Sequence, residues 1–166
     1  MRSVSELLST DSNREEWISS MELATREVFE MMLGCKLTRS EIAADGSFDI
    51  TAMVGLAGQM CGVLIVRCNA RSATLMVSKM LGLEPGEASP DVLDAIGEIC
   101  NMVAGNFKNK IAGMGDGCLL SVPTVITGKD YSLHSLPGSA SLEVTLLFES
   151  MPIAITLQLA AKHSEN

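Results

Sequence analysis

Aromatic side chains are scarce in this chain: four Phe, one Trp and one Tyr among 166 residues. A core without them must be aliphatic, and 11 Met suit such an interior because a flexible thioether fills irregular gaps. Basic charge is also short. Twelve Lys and Arg stand against 20 Asp and Glu, for a formal net charge of −8 and a pI near 4.7. An acidic surface repels phosphate backbones, so a nucleic-acid partner is not expected. The two histidines, His134 and His163, are too few and too scattered for a histidine-based metal centre or triad. No run of about 18 apolar residues exists, so no membrane insertion is expected. Nor does an apolar stretch follow Arg2 to mark a secretory signal. Cys35, Cys61, Cys68, Cys100 and Cys118 form no CxxC pair and no zinc spacing. Such an odd set of thiols is expected to be reduced, buried and cytoplasmic.

What is present is globular composition: 47% hydrophobic and 19% charged residues, with a mean hydropathy of +0.29. The length suits one domain with a sizeable core, spanning 1–166, with 1–13 and 162–166 as flexible ends. Residues 14–33 carry apolar side chains at helical steps (Trp17, Met21, Ala24, Val28, Met31, Met32), and Gly34 stands where a C-cap glycine belongs. A short strand is expected within 36–42. Two strands at 48–56 and 60–66 are joined by Ala57-Gly58-Gln59. A short amphipathic helix over 70–81 is stopped by Gly82 and Pro85. Ser89 as N-cap, Pro90 at the first helical position and Asp91 at the positive end start a long helix, expected to run to about residue 111. Short strand pieces surround Pro123. A polar loop covers 129–139, and a second hairpin joins 142–148 to 153–159 through Ser150-Met151-Pro152. Hairpin connections this short fit only antiparallel pairing, so the fold class is α+β with a largely antiparallel sheet.

The chain also matches itself. Glu27-Val-Phe-Glu30-Met-Met-Leu-Gly34 parallels Glu98-Ile-Cys-Asn101-Met-Val-Ala-Gly105, and Phe48–Val54 parallels Leu142–Phe148 in its alternation. This points to a duplicated helix-plus-strands unit with pseudo-twofold symmetry, the alternative being chance likeness of amphipathic segments.

At about 100° per residue, Ile96, Cys100, Val103 and Phe107 share one face of the long helix, with Val92 and Ile99 beside them. Asp94, Glu98, Asn101, Gly105 and Lys108 share the opposite face, and Met102 borders it. A solvated face explains such a stripe without function. Asn, however, is a poor helix-interior residue, so its place in mid-helix has a cost.

The segment Asp94-Ala-Ile-Gly-Glu98-Ile-Cys-Asn101-Met-Val-Ala-Gly105-Asn106, followed by Leu120-Ser121-Val122-Pro123-Thr124-Val125, resembles the CheX-type chemotaxis phosphatases, which group with CheC and FliY. Asp94, Glu98, Asn101 and Pro123 each occupy a position of that family's signature. The likeness extends through Ala24–Phe29 and Asp49–Gly55 and covers about 20 to 160. It implies helices on one side of a long sheet and a homodimer built partly by sheet pairing. It also implies hydrolysis of the aspartyl phosphate on a CheY-like response regulator. No cofactor is then bound by this chain, since the phosphorylated receiver domain supplies its own Mg2+ and lysine. Phosphoryl transfer to water needs alignment and charge stabilisation more than covalent help. A carboxamide can accept from water and donate to a neighbouring oxygen at once, which suits Asn101 to position the attacking water. The resemblance gives Glu98 the role of pairing with the receiver's lysine. Asp94, Met102, Gly105 and Lys108 are expected at the partner-facing surface, and Pro123 as a shaper of the nearby loop.

In the first half the counterpart of Asn101 is Glu30, a second carboxylate that would repel a phosphoryl group and cannot donate when ionised. One active site per chain is therefore expected, whereas CheC and FliY typically carry two such motifs. Two rival readings stand beside this one. The first is a non-catalytic receiver-binding or flagellar-switch-like module. The second is a thiol hydrolase, disfavoured because Cys100 falls on the apolar helix face with no histidine nearby.

Overall fold

The computed structural model describes residues 8–44, 48–82, 90–129, 131–134 and 138–160. Ser89, Pro85, Pro137 and the tail from 162 lie outside the described residues, so the roles expected of them find no test. Among the described residues three helices and seven strands follow in the order α1 (Asp11–Leu33), β1 (Thr38–Arg39), β2 (Ile50–Gly58), β3 (Gly62–Cys68), α2 (Ala70–Leu81), α3 (Pro90–Lys110), β4 (Cys118–Leu120), β5 (Thr124–Thr127), β6 (Ala140–Phe148) and β7 (Met151–Leu159).

Helix α1 begins three residues earlier than its apolar periodicity suggested. Thr10 caps it, its hydroxyl accepting from the Asn13 N–H, and that local bond needs no apolar stripe. Gly34 ends the helix with φ 62°, and its N–H bonds back to the Glu30 carbonyl. Helix α2 is capped by Asn69 and closed by Gly82 in the same left-handed conformation. The second hairpin turns at Glu149-Ser150, both at positive φ (47° and 66°), rather than at 150–152. Pro152 sits within β7, beyond Ala154, the last residue that β7 pairs with β3, so its missing N–H costs no bond to that strand. The strand expected over 36–42 shrinks to Thr38–Arg39, which pair with Leu147 and Leu146.

All strand pairs are antiparallel and form one sheet in the order β1-β6-β7-β3-β2-β4, with β5 also on the outer edge of β2. Exchanging the two halves of the chain swaps β1 with β4/β5, β2 with β6 and β3 with β7, and the order reads the same backwards. The duplicated unit is thus visible in the topology. The strand that follows each long helix crosses over to the sheet edge of the other half.

The helices cover one face. Val54 and Leu56 of β2, Leu64 and Val66 of β3, Val144 and Leu146 of β6, and Ile155 and Leu157 of β7 join Met21, Val28, Met76, Ile96 and Val103 in one core. The few aromatics stand at its joints. Trp17 meets Phe107 edge-on at 6.1 Å, tying α1 to α3, and Phe29 meets Phe148 at 5.7 Å, tying α1 to β6. On the opposite face Arg67 lies over the Phe48 ring at 5.0 Å and pairs with Glu143 at 2.9 Å. There the Tyr131 hydroxyl bonds to Thr51. Cys68, Cys100 and Cys118 are buried as expected, but Cys35 is only half-buried and Cys61 is exposed, in the turn after β2.

Candidate functional site

Helix α3 buries Val92, Ile96, Ile99, Cys100, Val103 and Phe107, the face that periodicity assigned to the core. The buried sector is wider than that stripe, because Gly97 and Ala104 are also buried. The cause is the outer sheet edge, which folds up against this flank of the helix. From Leu120 to Thr124 the chain advances four residues while its partners on β2, Leu56 to Met53, advance three. One extra residue makes a β-bulge at 121–123. Pro123 fits there because a bulge on an edge strand leaves its missing N–H without consequence. Ser121 pins the bulge: its N–H donates to the Gly55 carbonyl (2.9 Å), its hydroxyl accepts from the Gly55 N–H (2.8 Å) and donates to the Val122 carbonyl (2.9 Å). Pro123 and Val125 come so close to Gly97 that a methyl group there would meet each at 3.3 Å. Two turns on, the same test at Gly105 finds Leu120 at 3.8 Å, an ordinary contact. Asn101 lies midway between these two glycines along the helix, on the side of the bulge, and is half-buried.

Glu98 is exposed, about 60° around the helix from Asn101 and about 4.5 Å along its axis. Among the described residues neither the Glu98 carboxylate nor the Asn101 carboxamide has a hydrogen-bond or ion-pair partner, so both ends are available to a visitor. Asp94 is exposed one turn before Glu98. A depression of about 480 Å³ is lined by Leu93, Asp94, Gly97, Glu98, Pro123 and Val125. It brings together three of the residues singled out from the sequence. Leu93 and Val125 were missed, and their signal was faint: apolar residues bordering a polar helix stripe and following a proline.

Met102 is half-buried and packs on the core while bordering the strip. Lys108 is half-buried on the same side of the helix. Its ammonium donates to the carbonyls of Gly115 and Cys118, both at 2.8 Å, fastening the end of α3 to the start of β4. The Cys100 thiol points into the sheet, toward the carbonyls of Ala52 (3.5 Å) and Leu64 (3.7 Å), and burial pushes its pKa up to about 12. A thiol that stays protonated inside the core is no nucleophile at neutral pH. Among the described residues no three His, Cys, Asp or Glu side chains converge to hold a metal ion, and no helix is long and apolar enough to cross a membrane.

The first-half counterpart is arranged otherwise. Glu27 accepts from Lys110 (2.7 Å) and from the Asn106 amide (2.7 Å), and that amide also donates to the Ala24 carbonyl (3.1 Å). These donors hold the Glu27 pKa below the ordinary carboxylate range, Lys110 foremost. Glu27 thus clasps α1 to the last turn of α3 and is not free.

Fold and strip together define a class: a duplicated antiparallel α+β domain that presents the Asp94 and Glu98 carboxylates and the Asn101 carboxamide along one outward helix face. The model of the family described as Chemotaxis phosphatase CheX matches residues 50–147, more than half of the chain, and the chain belongs to that family. It is 30% identical over 101 residues to the CheY-P phosphatase CheX of Thermotoga maritima. That match covers 60% of this chain and 65% of the relative, just under two thirds of its length. Among solved structures, the chemotaxis protein CheX of Vibrio vulnificus superposes with a TM-score of 0.76 at 22% identity, covering 89% of this chain and 98% of that one. The CheX of Borrelia burgdorferi, solved as a CheX-CheY-BeF3-Mg2+ complex, superposes with a TM-score of 0.70 at 22% identity, covering 86% and 97%. At these identities the structural likeness speaks for the fold.

Proposed function

We propose that this chain is a phosphatase that hydrolyses the aspartyl phosphate of a CheY-like response-regulator receiver domain. The observation that carries the reading is the strip on α3, where Glu98 and Asn101 stand one turn apart, outside the core and unengaged. The names of the relatives support it: the Thermotoga protein is called a CheY-P phosphatase, and the Borrelia protein was solved with CheY, BeF3 and Mg2+.

In this mechanism α3 lies across the receiver's phosphorylation site. Glu98 pairs with the receiver's lysine and sets the register of the helix. Asn101 then holds a water in line with the phosphorus, its carbonyl oxygen accepting from the water and its NH2 donating to a neighbouring oxygen. The receiver's own Mg2+ and lysine carry the developing charge. Asp94, Met102 and the open surface at Gly105 form the rest of the contact, while Pro123 fixes the bulge beside Asn101. The chain works as a homodimer in the cytoplasm with its partner. Beyond Thr38 and Arg39 the outer side of β6 has no strand partner among the described residues, and such an edge favours sheet pairing between copies.

The test is phosphate release from a phosphorylated receiver encoded in the same genome. Wild type accelerates release over the receiver's own rate. Asn101→Ala lowers that acceleration by roughly 100-fold or more, the cost typical of losing one positioned polar group in an active site, while receiver binding persists. Equal rates for the two proteins would sink the mechanism. Binding without any acceleration by wild type would leave the non-catalytic module as the correct reading.

A further inference from the structure

The catalytic strip continues into an apolar groove. Ile50, Ala70, Pro90, Leu93 and Thr127 line about 570 Å³ of open space at the start of α3, between α2 and the end of β5. Leu93 lines both this groove and the depression that holds Glu98, so the two recesses adjoin at that side chain. Two charged residues, Asp49 and Lys129, also line the groove, and the Asp49 carboxylate already accepts from the Ala70 N–H at 3.1 Å. Two other cavities of similar size are lined by charged and hydroxyl groups and take no residue from α3.

We propose that this groove receives an apolar patch of one or two bulky side chains from the same receiver domain, and so sets affinity for the partner rather than the rate of the chemical step. The inference rests on the function proposed above. Its support is a matter of dimensions. A standard protein interface covers about 800 Å² on each partner, a disc of roughly 16 Å radius. Along α3, Leu93 lies about 7.5 Å from Glu98 and about 12 Å from Asn101. A receiver centred on the catalytic pair therefore covers Leu93 and the near wall of the groove. Binding free energy concentrates where apolar side chains fill pockets shielded from water, and the polar pair at the centre supplies no such pocket. Of the two recesses that Leu93 lines, the groove is the more apolar.

Ala70 gives access to the test. It is exposed and opens α2 just after its Asn69 cap, where an added carboxylate is favourable for the helix. It takes no part in the chemistry. Steady-state phosphate release from the phosphorylated receiver is measured for wild type, Ala70→Glu and Ala70→Lys, with thermal melts to verify folding. A charge of either sign in an apolar recess is costly, so both variants raise KM about tenfold with kcat within twofold of wild type. Thr127→Glu, on the exposed β5 side of the groove, repeats the effect if either Ala70 variant melts early. A KM unchanged in folded variants overturns the groove while leaving the phosphatase reading intact, as does a loss confined to kcat. Opposite effects of Glu and Lys also overturn it, since they indicate long-range charge rather than an occupied recess. Absence of any release by wild type strikes the functional reading itself.

Discussion

Helices α1 and α3 descend from one pattern and have been put to opposite uses. On α1, Glu27 is held by Lys110 and Asn106. On α3 its counterpart Glu98 has no partner among the described residues. Gly34 stops α1 in a left-handed conformation, whereas the matching Gly105 lets α3 run five residues further. The residues that follow explain the difference. After Gly105 come Asn106, which bonds to α1, and Phe107, which is fully buried against Trp17. After Gly34 come Cys35 and the exposed Lys36, with nothing to anchor another turn. At the position before the first glutamate, α3 has Gly97 under the Pro123 bulge while α1 has Arg26, paired to Glu22 at 2.7 Å. One helix has become a structural brace, and the other is kept clear on one side by a bulged strand.

Paired substitutions break or sharpen this contrast. The largest difference is expected in activity: Asn101→Ala loses roughly 100-fold or more, whereas Glu30→Ala on α1 stays within about twofold of wild type. Adding Glu30→Asn to the Asn101→Ala protein restores nothing, because Glu27 remains committed to Lys110. Recovery of phosphate release in that double variant would show that α1 still holds a working site. Next comes stability. Phe107→Ala should cost about 3–5 kcal/mol in urea unfolding, the range for deleting a buried aromatic ring. Its counterpart Lys36→Ala should stay within about 0.5 kcal/mol, as exposed positions do. Similar costs would mean that the extra turns of α3 are not anchored by that ring. Smaller again is Gly97→Val. Its branches would press on Pro123 and Val125, at about 1–3 kcal/mol for overpacking, and activity should fall with it as the bulge shifts beside Asn101.

The smallest effect concerns Glu27 and pH. A carboxylate whose pKa is lowered by folding stabilises the native state above its unfolded value, and that contribution fades as pH falls through the lowered folded value. Stability–pH curves for wild type and Glu27→Gln should therefore separate near neutrality and converge in acid. Parallel curves would remove the clasp from the account. The Cys100 pair of outcomes is equally plain: Cys100→Ser keeps kcat if the thiol serves only as packing, and a collapse of kcat in a folded variant would revive a thiol mechanism.

Much of the fold was legible because its signals are local. Asn69 and Gly82 bracket α2 at the bounds read from the sequence, and α3 begins at Pro90 and ends within a residue of the expected stop. The duplication was legible too, since repeated residues need no coordinates to compare. What escaped depended on remote partners. The edge strand at 36–42 shortened to the two residues that find β6. Gly97 and Ala104 entered the core because a strand folded onto their flank. Lys108 was legible as a lysine on the polar face, but its ammonium is claimed by carbonyls that only the return of the chain after α3 brings near.

The sequence by itself determined the helix carrying Glu98 and Asn101, which side of it faces the core, and the halving of the chain into two related units. These follow from period, caps and repetition, all properties of neighbouring residues. Only the tertiary structure decided which glutamate is free and which is clasped, where the extra residue of the edge strand falls, and which apolar recess adjoins the strip. Those outcomes depend on contacts between segments tens of residues apart, and pairing at that range leaves no periodic trace in the chain.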